Sequence, residues 1–198
     1  METIRLLLEA PFFCSKKPLA RIFGETFDFP PPFTLYNMFL SAIGETDITK
    51  HAGSSIAIAR LSMGPKSVLG GKIWKVGDGH KLMRGIANKE IYTNLRASVW
   101  VKGSLASAVK IALLEPENVD RYGVLSIGES FNIVNDLHMW TTTDGPNEGS
   151  MLIKDKFGPI GLPIWSQHVG TQCKWEKFDV VKKDLGSVPE EAWVTIEP

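Results

Sequence analysis

The side chains best suited to chemistry are scattered through this sequence and are not grouped at catalytic spacings. Its four histidines and two cysteines show no zinc-site spacing, and His168 with Cys173 is interpreted as a structural pair. The segment from Lys66 to Ile73 resembles a phosphate-binding loop only superficially. Lysine replaces the first glycine of that motif, and isoleucine replaces its serine or threonine. The sequence therefore predicts no metal and no cofactor.

A metal-independent ribonuclease needs less, namely a general base and a nearby cation. His51, Tyr36 and Lys16 are of suitable types for those roles. A structural or solvent-exposed His51 is the simpler interpretation. We therefore expect a protein that binds and does not cleave, with the endoribonuclease as the alternative.

Charge is segregated along the chain, although the formal net charge is zero. Residues 66–110 carry nine basic and two acidic side chains, whereas residues 111–150 carry one basic and seven acidic side chains. A basic stretch beside an acidic one favours a polyanion-binding face and a separate face for a basic partner. An ordinary solvated surface would have the same composition, so the two interpretations stay open at this point.

Two basic segments are candidates for RNA binding. Residues 66–93 have a hairpin pattern, and Trp74 lies near its base, which suits phosphate contacts and base stacking. The alternative is a solvated hairpin that Trp74 anchors to the core. The loop after the first strand carries Lys16, Lys17 and Arg21 and ends at the start of a helix. Free backbone amides at such a start favour an anion.

Periodicity predicts the elements that position these residues. Alternating apolar side chains predict strands, and apolar side chains three and four apart predict helices. The predicted strands are 3–9, 55–62, 95–102 and about 123–134, and the predicted helices are 35–43, before Gly44, and one that Ser104 caps and Pro116 closes. The order strand–helix–strand–strand–helix–strand predicts an α+β, ferredoxin-like fold.

The predicted organisation is a core at 1–135 with a C-terminal, strand-rich extension at 136–198 packed on it. Residues 66–93 form an insertion between the second and third strands. The apolar run Leu6–Leu8 is too short for a membrane span or a signal peptide, and Cys14 and Cys173 are too far apart in sequence to indicate a disulfide framework. We therefore expect a cytoplasmic protein with buried thiols and no membrane partner.

Three segments resemble one family in their order and spacing. They are Ile4–Phe13, the proline-rich Glu25–Tyr36, and the glycine-containing Tyr122–Ser130, which reads YGVLSIGES. Each is similar to a segment of CRISPR-associated protein family 5, and the closest likeness is to its I-B-like, myxobacterial-type branch. The resemblance covers roughly the first 135 residues, and nothing specific resembles the family beyond residue 140.

The resemblance implies a ferredoxin-like RAMP fold and a subunit of the type I Cascade effector. Such subunits cap the 5′ handle of the guide RNA (crRNA), project a thumb beside the guide–target DNA duplex, and contact the backbone and large subunits. It implies handle contacts by Lys16, Lys17, Arg21, Thr34 and Tyr36, and thumb contacts by Trp74, Lys75, Lys81 and Arg84. Whether Gly128, Glu129 and Ser130 contact RNA or shape a turn is left open.

The expected function is therefore a non-catalytic, crRNA-binding subunit of a ribonucleoprotein for antiviral or RNA-guided DNA targeting. The alternatives are a metal-independent endoribonuclease that processes precursor crRNA and a structural adaptor that bridges Cascade subunits. The sequence leaves open the exact subtype, the choice between defence and transposition, the residues that contact the target's adjacent motif, and the role of residues 140–198.

Overall fold

The computed structural model describes residues 2–18, 23–76, 82–145, 147–168 and 172–198, with the backbone alone described over 72–76, over 82–86 and at 168. Its helices are α1 (Pro32–Ala42) and α2 (Ser104–Leu114). Its strands are β1 (Thr3–Phe13), β2 (Phe23–Gly24), β3 (Ser55–Ser62), β4 (Lys66–Val76), β5 (Leu82–Lys102), β6 (Asp136–Met139), β7 (Glu148–Lys154), β8 (Ile160–His168), β9 (Gln172–Asp184) and β10 (Val194–Thr195). The predicted α+β class is confirmed.

The strands form one sheet, in which β6-β1-β5-β3-β7-β9-β8 is a path of antiparallel neighbours. Beside this path, β4 and β10 pair antiparallel with β5 and β3, and β2 pairs parallel with β5. Alternate side chains of the central strands, such as Leu6 and Leu8 of β1, enter the main core with the inward faces of both helices. This alternation follows from the pleat, which points successive side chains to opposite faces, and a second cluster around Trp100 covers part of the other face. Within the described ranges, no helix is long and apolar enough to cross a membrane.

Two local predictions are wrong. The segment predicted as a strand over 123–134 is a loop held by single bridges, and the strand that follows α2 in the sheet is β6, at Asp136–Met139, which pairs with the side of β1 away from β5. Alternating apolar residues were not sufficient because the backbone turns at Gly128, where φ is +82°. Ser104 does not cap α2. The hydroxyl of Ser54 instead accepts a hydrogen bond from the amide of Leu105, at 3.2 Å.

The hairpin that β4 and β5 form has an antiparallel register from Lys66 opposite Tyr92 to Val76 opposite Leu82. Strand β5 then continues between β1 and β3, so the hairpin and the sheet share a strand. Lys81 lies outside the described residues, and at Trp74, Lys75 and Arg84 only the backbone is described. Their predicted contacts therefore remain predictions.

The C-terminal extension continues the sheet and also reaches α1. Trp165 of β8 is 2% exposed, and its ring centroid lies 5.3 Å from that of Phe33 and 6.4 Å from that of Tyr36, both on α1. Cys14 is buried as expected, but Cys173, near the start of β9, is exposed, so the prediction of two buried thiols is half wrong. The boundary at residue 135 stays a prediction.

A histidine between two carboxylates ties β6 to the loop that follows it. The Nδ1 of His138 lies 3.0 Å from the Oδ2 of Asp136, and its Nε2 lies 3.2 Å from the Oδ1 of Asp144. Burial alone would lower the pKa of His138, but hydrogen bonds to the two carboxylates outweigh it and raise that pKa above its ordinary value.

We therefore expect the free energy of unfolding to decrease as the pH rises and His138 loses its proton. The stabilisation that protonated His138 contributes is fully present below the unfolded-state pKa, near 6.5, and is lost as pH rises through the higher folded-state pKa. Since the side chain is 37% exposed, solvent screening limits the loss to about 1 kcal/mol or less. Urea unfolding between pH 6 and 8 measures it. His138→Gln should flatten the dependence, and an equal slope in both proteins would contradict the assignment.

Candidate nucleic-acid interface

Three separate segments of the chain meet at one pocket of about 380 Å³. They are the loop after β1, the solvent-facing side of α1, and residues 126–129. The lining residues are Ser15, Lys16, Thr34, Asn37, Met38, Ser41, Ser126, Gly128 and Glu129. Its volume lies within the range of small-molecule and nucleotide sites, and its lining is rich in hydroxyl and amide groups. The pocket can therefore offer several hydrogen bonds to one ligand.

Close backbone packing between Gly128 and Cys14 shapes the turn that borders the pocket. The two residues make a parallel bridge, and the amide of Glu129 donates to the carbonyl of Cys14 at 3.3 Å. A Cβ on Gly128 would lie 2.4 Å from that carbonyl oxygen. Only glycine tolerates both this approach and a φ of +82°. The question left open by the sequence is therefore answered for Gly128, which shapes the turn.

Asn132 locks the same turn from inside the protein. Its side chain is fully buried, and its amide nitrogen donates to the carbonyls of Cys14 at 2.7 Å and Ile127 at 3.0 Å. The amide of Ile127 returns a hydrogen bond to the carbonyl of Asn132, at 3.0 Å. The sequence prediction missed Asn132, because nothing local distinguishes it from a loop asparagine.

The first loop is stabilised by pairing with itself. Phe27 donates its amide to the carbonyl of Ser15 at 3.0 Å, and Lys17 donates its amide to the carbonyl of Glu25 at 2.8 Å. The buried hydroxyl of Thr26 accepts from the amide of Ser15 at 2.9 Å. This pairing presents the side chains of Ser15 and Lys16 to the pocket.

Two ionic contacts join this loop and the pocket to the base of the β4–β5 hairpin. Lys89 of β5 lies with its Nζ 2.5 Å from the Oε2 of Glu129 and 3.9 Å from the ring centroid of Phe131. Lys66 of β4 contacts Asp28 at 3.0 Å. Burial alone would raise the pKa of Asp28, but hydrogen bonds from Tyr92 and Lys66 lower it below its ordinary value. The pocket and the hairpin base are therefore one connected structure.

Comparison with known proteins finds a relative of this chain by sequence. No family model matches the chain. A curated relative, CRISPR-associated protein Cas5 of Myxococcus xanthus, is 30% identical over 182 residues, with 85% of each chain covered. The chain belongs to the Cas5 family. The resemblance inferred from three short segments is thereby confirmed.

Solved structures agree on the fold of this Cas5 chain. A chain of a CRISPR RNA-guided surveillance complex is similar with a TM-score of 0.72 at 12% identity, covering 93% of this chain and 91% of that one. A Cas protein crystal structure is similar with a TM-score of 0.51 at 12% identity, covering 93% and 95%. At such identities the likeness shows the fold alone.

The structure brings together only part of the predicted handle set. Lys16 and Thr34 line the pocket, and the hydroxyls of Thr34 and Ser15 lie 3.3 Å apart. Lys17 does not line it, and its ammonium group lies 3.3 Å from the carboxylate of Glu25. Arg21 lies outside the described residues.

Tyr36 was predicted to contact RNA, and this prediction is wrong. Its side chain is fully buried, and its hydroxyl donates to the carbonyl of Ile48 at 2.9 Å. The side chain is therefore part of the core. The ribonuclease set is not assembled at the pocket either, since His51 contacts Ser104 at 3.0 Å and, of the three residues considered, only Lys16 is in the lining.

The predicted anion site at the start of α1 has fewer donors than expected. Pro31 is the N-cap and Pro32 occupies the first helical position, so neither has an amide hydrogen. The amide of Leu35 already donates to the carbonyl of Pro31, at 3.1 Å. Backbone amides therefore contribute less here than side-chain hydroxyls and amides do.

Proposed function

We propose that this Cas5 chain is a non-catalytic subunit of a type I Cascade effector and that it binds the 5′ handle of crRNA at the pocket. The observation that carries the proposal is that segments distant in the sequence meet at one pocket. Two of the three segments through which the sequence resembles the family contribute Thr34, Ser126, Gly128 and Glu129 to the lining, and Ser15 and Lys16 follow shortly after the end of the other. A polar pocket beside a lysine suits single-stranded RNA, whose unstacked bases and backbone are both accessible.

The neighbouring hairpin suits the role of the thumb in the same proposal. The sheet order β6-β1-β5-β3, with both helices contributing to one core, supports the proposal of a ferredoxin-like core with the β4–β5 hairpin inserted between its second and third strands. Residues 66–93 supply an excess of lysine and arginine. A basic hairpin of this kind suits contacts with the phosphates of the guide–target duplex, while base pairing would supply sequence specificity.

A third surface suits protein partners of the assembly, the backbone and large subunits. Ile111 and Leu114 of α2 are 59% and 66% exposed, and Tyr122 and Val124 in the loop that follows are 96% and 62% exposed. Tyr122 also lines a cavity with Asn37 and Ser41, so this surface adjoins the pocket. This surface lies within the acidic stretch at 111–150. Exposed apolar side chains among carboxylates favour a protein surface with basic residues over an RNA backbone, which the carboxylates would repel.

The salt dependence of handle-RNA binding tests the pocket. Lys16→Ala should weaken binding and lower the slope of log affinity against log salt by about 0.7, the value for one phosphate contact in single strands. Lys17→Ala is the matched control, because the ammonium group of Lys17 already contacts Glu25. Equal slopes for Lys16→Ala and the unsubstituted chain would place the handle elsewhere.

The double substitution Lys81→Ala with Arg84→Ala tests the thumb in the assembled complex. It should leave handle binding unchanged and weaken binding of target DNA, since the hairpin is proposed to lie at the duplex. Loss of handle binding by this variant alone would reverse the assignment. Cleavage of repeat RNA in EDTA by the purified chain would support the ribonuclease, and no effect of any variant on nucleic-acid binding would support the structural adaptor.

A further inference from the structure

The charged groups of the pocket argue against a phosphate as its main ligand. Among the described residues, its lining contains one cation, Lys16, and one carboxylate, Glu129, together with hydroxyl and amide groups. Although Lys89 offsets its charge, the carboxylate of Glu129 offers no hydrogen-bond donor to a phosphate oxygen, and proline residues limit the amides at the start of α1. Lys16 is exposed and lies at the rim, where it can reach a phosphate outside the pocket. The interior suits a neutral ligand with hydrogen-bonding groups.

The carboxylate of Glu129 favours a ligand that carries hydrogen-bond donors. An ionised carboxylate only accepts hydrogen bonds. Its Oε2 already accepts from Lys89 at 2.5 Å, and within the described residues no hydrogen bond reaches its Oε1. Lys89 also lies against the ring of Phe131, so the ammonium group that pairs with the carboxylate is itself held in position. The carboxylate is therefore oriented before a ligand arrives.

The other side of the pocket accommodates a flat ring. Met38 is 2% exposed and contributes an apolar wall, and a thioether makes favourable contacts with aromatic rings. The side chains of Asn37, Ser41 and Ser126 can both donate and accept around the rim. An apolar wall, a donor–acceptor rim and an oriented carboxylate together match the edge and face of a nucleobase better than they match a ribose.

We propose that the pocket binds one unstacked nucleobase of the guide RNA and that Glu129 accepts hydrogen bonds from its Watson–Crick edge. Guanine fits best, because its N1–H and N2–H are adjacent donors that match one carboxylate. Adenine and cytosine offer a single amino group beside an acceptor, and uracil offers one N–H between two carbonyls. This inference rests on the proposed function and names the ligand of the same site.

Selection from a pool of random-sequence RNA octamers by the full chain, followed by sequencing, tests this inference. The unsubstituted chain should enrich guanine at one position. In binding assays with the selected octamer, inosine at that position, which lacks the N2 amino group, should weaken binding roughly tenfold, the scale of a good bidentate base contact. Glu129→Gln should remove that difference between guanine and inosine. Glu117→Gln, on an exposed carboxylate outside the lining, is the matched control.

The outcomes separate this inference from the function on which it rests. If the chain binds RNA but prefers no base at any position, or if Glu129→Gln keeps the full preference for guanine over inosine, the base-reading role is wrong and RNA binding stands. If neither the chain nor its assembled complex retains RNA, both proposals are wrong. The inosine comparison uses the unsubstituted chain, so it decides the matter even if Glu129→Gln proves unstable.

Discussion

Gly128→Ala is expected to destabilise the protein by roughly 3 kcal/mol and to abolish RNA binding at the pocket. The new Cβ would lie 2.4 Å from the carbonyl oxygen of Cys14 and 3.4 Å from the Cα of Ser15, so backbone must move against backbone. A left-handed φ adds strain of its own for any residue with a Cβ. The free energy of unfolding from urea titration measures the total.

Gly123→Ala separates the two contributions. Gly123 lies in the same segment and has a φ of +75°, but a Cβ there would meet nothing within 4 Å. Gly123→Ala should therefore lower the free energy of unfolding by the conformational strain alone, about 1 kcal/mol, and RNA binding should be retained. Equal losses for the two glycines would mean that the approach of Gly128 to Cys14 is unimportant.

Asn132→Asp is expected to cost about 3 kcal/mol or more, although the two side chains have nearly the same shape. The buried amide nitrogen of Asn132 faces the carbonyls of Cys14 and Ile127. An ionised aspartate would place an oxygen there and repel both carbonyls, whereas a protonated one could donate to only one. The pocket turn should loosen, and RNA binding should weaken with it.

The sign of the pH dependence of stability in the Asn132→Asp variant follows from burial. Burial without a donor would raise the folded-state pKa of the new carboxyl, so the folded state binds more protons than the unfolded state. The free energy of unfolding should then fall as pH rises above about 4. Asn135→Asp, at an exposed position three residues later, is the control and should change little. Equal pH slopes in the two variants would contradict the role assigned to Asn132.

The sequence predicted the core elements because burial imposes their period. The prediction of a strand over 55–62 matches β3 residue for residue, and the helix predicted over 35–43 lies within α1 except for its last residue. Lys16 and Thr34 were identified because their segments resemble the family. These are local features, which a single stretch of chain can carry.

What the sequence did not predict depends on distant partners. The local pattern assigned Tyr36 to the polar face of α1, together with Asn37 and Ser41, but its side chain is fully buried. Trp165 of the C-terminal extension packs within 6.4 Å of its ring and buries it. The pairing of Lys89 with Glu129 likewise joins β5 to a loop after α2. Neither contact leaves a periodic signal in the sequence.

Site-specific photocrosslinking tests the central claim, that the 5′ handle of the guide RNA occupies the pocket. A photoreactive phenylalanine replaces Ser41, at the exposed rim of the pocket, in the chain assembled with its Cascade partners and crRNA. The matched control carries the same residue in place of the exposed Ile111 on α2. Sequencing of the crosslinked nucleotides should show crosslinks within the 5′ handle for the Ser41 position and none for the Ile111 position. Crosslinks from the Ser41 position outside the handle, or handle crosslinks from the Ile111 position alone, would contradict the claim.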